Sequence, residues 1–234
     1  MLHFTNEIWE TFREAASNRA KYLWDLYLNL VQNFKPVLYL DIGAGLGYNT
    51  IIFGKKSREI VAIDLQYPNS FMLKGAEKAH LIVADAKFLP LKKELFDMAS
   101  LFSVIEHVQN QELVLKESLR ILKSSGVLII QIPNRFFPLE LHSGLPLVFF
   151  IPSKIRAIFL GKIGYGWLSS IDVPSLNKLK KMIWEIEPNV KITVRKVIYP
   201  PSLVWSKLRP FYRFLQKIYF LNFIPLGYML VVRK

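Results

Sequence analysis

The chain has 234 residues. That length suits one or two domains and buries about 70% of the unfolded surface without a metal or disulfide staple. It contains no cysteine, which excludes disulfides, iron–sulfur clusters, thiolate zinc sites and a cysteine nucleophile, and fits a reducing compartment. The net charge of +13 is uneven: residues 1–150 carry 16 basic and 15 acidic side chains, residues 151–234 carry 15 basic and 3 acidic, and the latter also hold 13 of the 32 aromatics. A basic, aromatic last third behind a charge-balanced front points to an anionic partner: a membrane surface, nucleic acid or an acidic substrate.

Residues 5–33 predict a helix, because Trp9, Phe12, Ala16, Ala20, Leu23, Tyr27 and Leu30 recur at spacings of three and four and Pro36 ends the run. Short β-rich runs follow at 37–41, 60–64, 81–85, 96–102 and 127–132. They are continuously apolar, as strands buried on both faces are. Helical stretches at 48–56, 70–78 and 109–123 lie between them. This alternation predicts a parallel sheet with helices on both faces. Beyond Ile132 the rhythm breaks at Pro133, Pro138, Pro146 and Pro152. A helix over 173–187, an exposed strand over 191–199 and a final strand over 226–233 complete the reading. Residues 1–16 lack the apolar core of a secretory signal, and the uncharged run 218–232 is broken by Asn222, Pro225 and Gly227. It is too short to span a membrane. The expectation is a soluble, cytoplasmic protein with a surface able to touch a membrane.

The most informative segment is residues 37–50, where Gly43, Ala44, Gly45 and Gly47 lie at the turn from the first strand into a helix. Glycine permits positive φ and close approach of a ligand to the backbone, and a helix N-terminus favours an anionic group; a tight strand–helix turn would need the same residues. The dinucleotide fingerprint is G-x-G-x-x-G. Here the third glycine falls one position early, and Asp41 stands two residues before the first. A carboxylate there repels a pyrophosphate but pairs with an ammonium, directly or through water. The expected ligand is therefore zwitterionic, and a methionine moiety fits.

In order and spacing, Asp41-x-Gly43-x-Gly45-x-Gly47 resembles the first motif of class I S-adenosylmethionine-dependent methyltransferases. The resemblance covers roughly residues 35–135 and extends to Asp64, Asp85-Ala86, Phe96-Asp97, the run Ser103 to Val108, Gly126, and Ile132-Pro133-Asn134. The run containing Glu106-His107-Val108 is similar to a small-molecule branch that includes quinone-biosynthesis methyltransferases. It implies a Rossmann-like α/β fold, doubly wound, with a mostly parallel seven-stranded sheet and an antiparallel last strand. It also implies S-adenosylmethionine as cofactor, with Asp64 and Leu65 at the ribose, Asp85 and Ala86 at the adenine, and Ser103 near the methionine end. The expected organisation is one domain: a helical segment 1–34, a cofactor-binding core 35–135, and insertions 136–190 and 200–225 on the acceptor side. Asp41 and Asp64 also suit strand-end caps, and Asp97 suits a cap better than a ligand site.

Methyl transfer from a sulfonium needs alignment first, and a base only when the acceptor must lose a proton. His107, just past the fourth strand, is the candidate base, and a structural histidine opening a helix is the competing reading. His142, in the stretch after the fifth strand, is a candidate acceptor contact or a satisfied loop histidine. One quinone-type subgroup associates the Glu-His pair with a metal through an acid three residues before the Glu. Here that position is Ser103, so no metal is expected. Residues 210–221 predict a basic amphipathic helix, with Phe211, Phe214, Leu215 and Ile218 on one face and Arg213 and Lys217 on another. It suits a membrane interface or packing on the sheet. The expected acceptor is small and apolar or lipid-like, with peripheral membrane contact. The competing functions are a nucleic-acid methyltransferase using the basic last third and a non-enzymatic S-adenosylmethionine-binding protein.

Overall fold

The computed structural model describes residues 6–30, 34–66, 79–138, 140, 145, 147–151, 153–200, 203, 209–217 and 224–234. Helix α1 spans Asn6–Leu28 and leads into strand β1, Leu38–Ile42. Helix α2 (Tyr48–Gly54), β2 (Glu59–Asp64), β3 (Ala79–Val83), β4 (Phe96–Phe102), α3 (Gln111–Arg120) and β5 (Leu122–Pro133) follow. The later elements are α4 (Ser153–Lys162), α5 (Leu176–Ile186), β6 (Lys191–Val197), α6 (Arg209–Lys217) and β7 (Gly227–Arg233). The seven strands form one sheet in the order β3-β2-β1-β4-β5-β7-β6. Strands β1 to β5 pair in parallel, and β7 runs antiparallel between β5 and β6. The sheet therefore has the predicted Rossmann-like topology, including the antiparallel last strand.

The alternation of side chains along each strand separates two cores. Tyr39, Met98, Ile129 and Met229 face one layer, where Ala20, Leu23 and Tyr27 of α1 and Phe53 of α2 cover them. Phe53 packs against Phe102 at 4.6 Å with the rings tilted by 49°, and Trp24 meets Phe53 edge-on at 5.0 Å. Leu40, Ile42, Leu101, Ile130 and Leu230 face the opposite layer under Val114 and Leu115 of α3 and Leu179 and Ile183 of α5. This is why the central strands β1, β4 and β5 read as unbroken apolar runs: both of their faces are dry. Several elements differ from expectation, and α1 and α3 are shorter than their predicted spans. β3 stops at Val83, so Asp85 lies in the following loop. β5 extends back to Leu122, through a register irregularity opposite Phe96 and Met98. Helix α4 forms inside the first insertion, where no helix was expected. The expected helix over 70–78 lies outside the described residues.

The N-terminal ends of the central strands are joined by Asp97. Its Oδ2 accepts the amides of Val37 and Leu38 at 3.0 and 2.8 Å, and its Oδ1 accepts from Lys123 Nζ at 2.7 Å. Burial opposes ionisation of Asp97, but Lys123 and the two amides outweigh it and hold the carboxyl below its ordinary range. The lowered value means that its contribution is complete above the unfolded-state pKa, about 3.9, and is lost as pH falls through the folded value. We expect Asp97→Ala to lower unfolding free energy by about 1–3 kcal/mol at pH 7, after allowance for partial solvent screening. Urea titrations should show that gap shrinking below about pH 4; a gap that persists undiminished at lower pH would contradict the assignment.

Candidate functional site

The site lies at the C-terminal ends of β1, β2 and β4, the usual crevice of an open parallel sheet. The β1–α2 loop carries Gly43, Gly45 and Gly47, all at positive φ. A Cβ at Gly43 would overlap the methyls of Val104, which closes over the loop from the β4 end. Gly45 is the opposite case: a Cβ there would meet nothing within 4 Å, so its backbone faces open space. Gly47 is the N-cap of α2. The amides of Gly43 and Ala44 both donate to Ile63 O, at 2.7 and 3.0 Å, which sets the loop against the end of β2.

Asp64 ends β2 and is half-buried. Its Oδ2 accepts the Gly45 amide at 2.8 Å, bringing the second acid and the open glycine together. Leu65 follows with 66% of its surface exposed. Ala84 donates its amide to Asp64 O at 3.0 Å, which places the β3 exit beside β2. There Asp85 accepts the Lys87 amide through Oδ1 at 2.9 Å, and its Oδ2 lies 3.3 Å from Lys87 Nζ; Ala86 is half-buried beside it.

Asp41 is placed differently from an exposed ligand. It is 1% exposed, with Oδ2 accepting from Thr50 Oγ1 at 2.6 Å and Oδ1 accepting from Ser100 Oγ at 2.7 Å. Tyr39 Oη lies 2.6 Å from Ser100 Oγ. Because Ser100 gives its proton to Asp41, Tyr39 donates to Ser100. The carboxylate is thus held by hydroxyls alone in this chain of contacts. Burial pushes the Asp41 carboxyl up to about 6, against the hydroxyls of Thr50, Ser100 and Tyr39, which draw it down. Thr50 and Ser100 were missed by sequence reasoning. A polar residue inside the buried run of β4 was the available signal, since buried hydroxyls take partners.

At the end of β4, Ser103 adopts φ 54°, a left-handed conformation uncommon for a residue with a Cβ. Its amide donates to Gln131 O at 3.0 Å and its hydroxyl to Gln131 Oε1 at 2.8 Å. This turns the chain sharply so that Val104 covers Gly43. A single 3-10 turn, Ile105–His107, follows; Glu106 is buried and His107 is exposed. Gln111 Nε2 donates to Ile105 O and Asp172 O at 3.1 and 2.7 Å, tying this turn to the first insertion. His142 lies outside the described residues. No group of three metal-ligating side chains occurs among the described residues.

Residues 40–130 match the protein family described as a methyltransferase domain. Over this core the chain is similar to S-adenosylmethionine-dependent methyltransferases. The chain is 29% identical over 97 residues to a probable S-adenosylmethionine-dependent methyltransferase of Mycobacterium tuberculosis, covering 41% of this chain and 35% of that protein. The chain thus spans about a third of that relative's length. A demethylmenaquinone methyltransferase of Chlamydia muridarum is 23% identical, with 71% of this chain and 76% of that protein covered. Among solved structures, a methyltransferase of Thermotoga maritima has a TM-score of 0.59 at 20% identity, covering 97% of this chain and 96% of its own. One from Mesorhizobium loti has a TM-score of 0.61 at 12% identity, with 90% and 97% covered. At these identities the structural likeness concerns the fold.

The Asp41 environment gives a signed pH dependence. Its folded value, about 6, exceeds the unfolded value of about 3.9, so the ionised group costs the fold roughly 2–3 kcal/mol above pH 6 and stability rises as pH falls from 6 toward 4. Asp41→Asn keeps the shape and removes the charge. Relative to wild type it should gain about 1–3 kcal/mol of unfolding free energy at pH 8 and lose that advantage near pH 4. Urea denaturation at the two pH values tests this; an equal difference at both would refute it.

Proposed function

We propose that this chain transfers a methyl group from S-adenosylmethionine to a small, apolar or lipid-like acceptor. The observation that carries the reading is the open backbone at Gly45, with the Asp64 carboxylate on its edge and a buried carboxylate, Asp41, beneath the same loop. These residues fit the cofactor. Asp64 offers two carboxylate oxygens to the ribose hydroxyls, exchanging its Gly45 contact for them, and the exposed side chain of Leu65 offers an apolar face to the adenine. Asp85 and the Ala86 amide bind its polar edge. Asp41 supplies negative potential toward the amino group of the methionine end, and Ser103 leaves room there. When bound, the cofactor supplies an activated methyl on a sulfonium. The protein's part is to exclude water and hold the acceptor in line.

His107 projects from the turn after β4, on the crevice side, and is exposed. It takes a proton from acceptors that must lose one. Metal is not required in this reading, because Ser103 stands where a third acid would complete a Glu-His site. The apolar nature of the acceptor is supported by the insertions, where Phe136, Phe150 and Ile155 are exposed. It is also supported by two matched relatives, whose names are demethylmenaquinone methyltransferase and malonyl-[acyl-carrier protein] O-methyltransferase.

Calorimetry should show binding of S-adenosylmethionine and of its demethylated product, with no heat from NAD. Asp64→Ala should weaken that binding about 10- to 100-fold, as for loss of hydrogen bonds to a charged group. Detectable NAD binding in place of the sulfonium cofactor would overturn the proposal. Once a methyl acceptor is in hand, turnover should survive a strong chelator. His107→Ala should lower kcat about 100-fold or more without changing product affinity if the acceptor is protonated in its ground state. Loss of turnover on chelation, restored by magnesium, would remove the metal-free reading.

A further inference from the structure

Helices α4 and α6 lie at the same end of the sheet, joined by a short chain of aromatic contacts. Tyr212 of α6 packs on Phe137 with ring centroids 6.4 Å apart, Phe136 is the next residue, and Phe136 meets Phe150 edge-on at 6.3 Å, just before α4. Phe136 and Phe137 belong to the turn after β5, at the C-terminal end of that strand.

Each helix presents an unusual outer face. In α4, Arg156 and Leu160 point inward, and the opposite arc is formed by Ile155, Ile158, Phe159 and Lys162, all exposed. Ile158 leaves 66% of its surface in solvent. A solvent-facing helix side of two isoleucines and a phenylalanine departs from the polar outer face of a globular helix. In α6, Tyr212 points inward and donates its hydroxyl to Tyr199 O at 2.7 Å. The outer arc holds Arg209, Arg213, Phe214 and Lys217, with Phe214 58% exposed. This differs from the expected pattern: Phe214 shares the basic face instead of opposing it, and the side chains of Phe211, Leu215 and Ile218 lie outside the described residues. A hollow of about 350 Å³ is lined by Arg209, Pro210, Arg213, Phe214 and Lys217. None of residues 188–234 is Asp or Glu, whereas nine are Lys or Arg. No described helix is long and apolar enough to cross a membrane.

We propose that α4 and α6 together dock on an anionic lipid bilayer, the apolar arc of α4 entering the acyl boundary and the cations of α6 meeting phosphate headgroups. An anionic bilayer matches the chemistry of both arcs: it supplies apolar depth for Ile155, Ile158 and Phe159 and negative charge for Arg213 and Lys217. A nucleic acid matches the cations but leaves the α4 arc in water. The inference deepens the proposed function, resting on it only in that docking would bring the crevice to a lipid-dissolved acceptor; the docking itself needs no turnover.

The test is co-sedimentation of the full chain with phosphatidylcholine vesicles and with vesicles that also contain phosphatidylglycerol, in the absence of cofactor. Wild type should bind the anionic vesicles at least tenfold more tightly than the neutral ones, and rising salt should weaken the association as the Debye length shortens. Arg213→Glu with Lys217→Glu should weaken it about thirtyfold or more, on the scale of about fivefold per cation. Ile158→Asp with Phe159→Asp should weaken it by at least tenfold at the same salt. Both variants should keep wild-type affinity for demethylated cofactor product, which verifies the fold and separates this inference from the cofactor reading. If product binding fails in wild type while anionic vesicles are bound, the cofactor reading falls and the docking stands. Equal binding to both vesicle types, binding to neither, insensitivity to either double variant, or displacement from anionic vesicles by mixed-sequence RNA at equal charge would overturn the docking.

Discussion

The site is built over a buried negative charge. Asp41 lies in the middle of the sheet, between β2 and β4, on the face covered by α1 and α2. An ionised carboxylate in such a place costs several kcal/mol unless it is compensated, and hydroxyl donors compensate only in part. Thr50 reaches it from α2, Ser100 from β4 across the strand register, and Tyr39 supports Ser100. Those contacts fix the start of α2, and thereby the glycine loop, relative to two strands. On the proposed reading the residual cost is relieved when a cationic amino group binds above the loop, so the strain is spent on affinity. Asp97, near the other end of the same strands, is the control within the molecule. It has Lys123 and two amides as partners and its pKa falls, where that of Asp41 rises. One aspartate holds the sheet together; the other is held by it.

The crevice also depends on two backbone approaches that no larger residue permits. Val104 occupies the volume above Gly43, so the loop and the β4 exit interlock. At Gly227 a Cβ would crowd Ile132 O at 2.5 Å, so β7 pairs closely with the end of β5. That end is further tied by Asn134, whose side chain donates to Pro225 O at 2.9 Å and accepts the Phe136 amide at 3.0 Å. The antiparallel β7 thus buttresses the strand from which Gln131 fixes the left-handed turn at Ser103.

The central sheet was legible because five apolar runs of strand length separated by helical patterns admit few other arrangements. The antiparallel last strand came from the family resemblance, and its insertion between β5 and β6 was not read, since periodicity does not say which strand inserts between which. Helix α4 was not legible: its outward arc is as apolar as its inward one, so no amphipathic stripe marks it, and prolines and glycines surround it. The positions of Asp41, Asp64 and the glycines were legible as a motif, but the inward turn of Asp41 was not. It depends on Thr50 and Ser100, nine and fifty-nine positions away, and on which face of β1 the carboxylate takes. Asp97 was readable as a cap because an acid at the start of a buried strand has few other uses.

Charge divides the molecule as clearly as packing does. Asp41, Asp64 and Asp85 stand at or just beyond the ends of β1, β2 and β3, while the chain after Glu187 contains no acid at all. On the proposed readings a sulfonium-bearing ligand is drawn to the first group, and an anionic bilayer to the second. Among the described residues the cation against Asp85 is Lys87, a front-half residue, at 3.3 Å. This division of charge disfavours a cationic acceptor, which would meet like charge on approach from the α6 side. On the proposed reading the acceptor is neutral or anionic with an apolar body. The exposed isoleucines and phenylalanines around β5 and α4 suit that body, because burial against them removes apolar area from water on both partners.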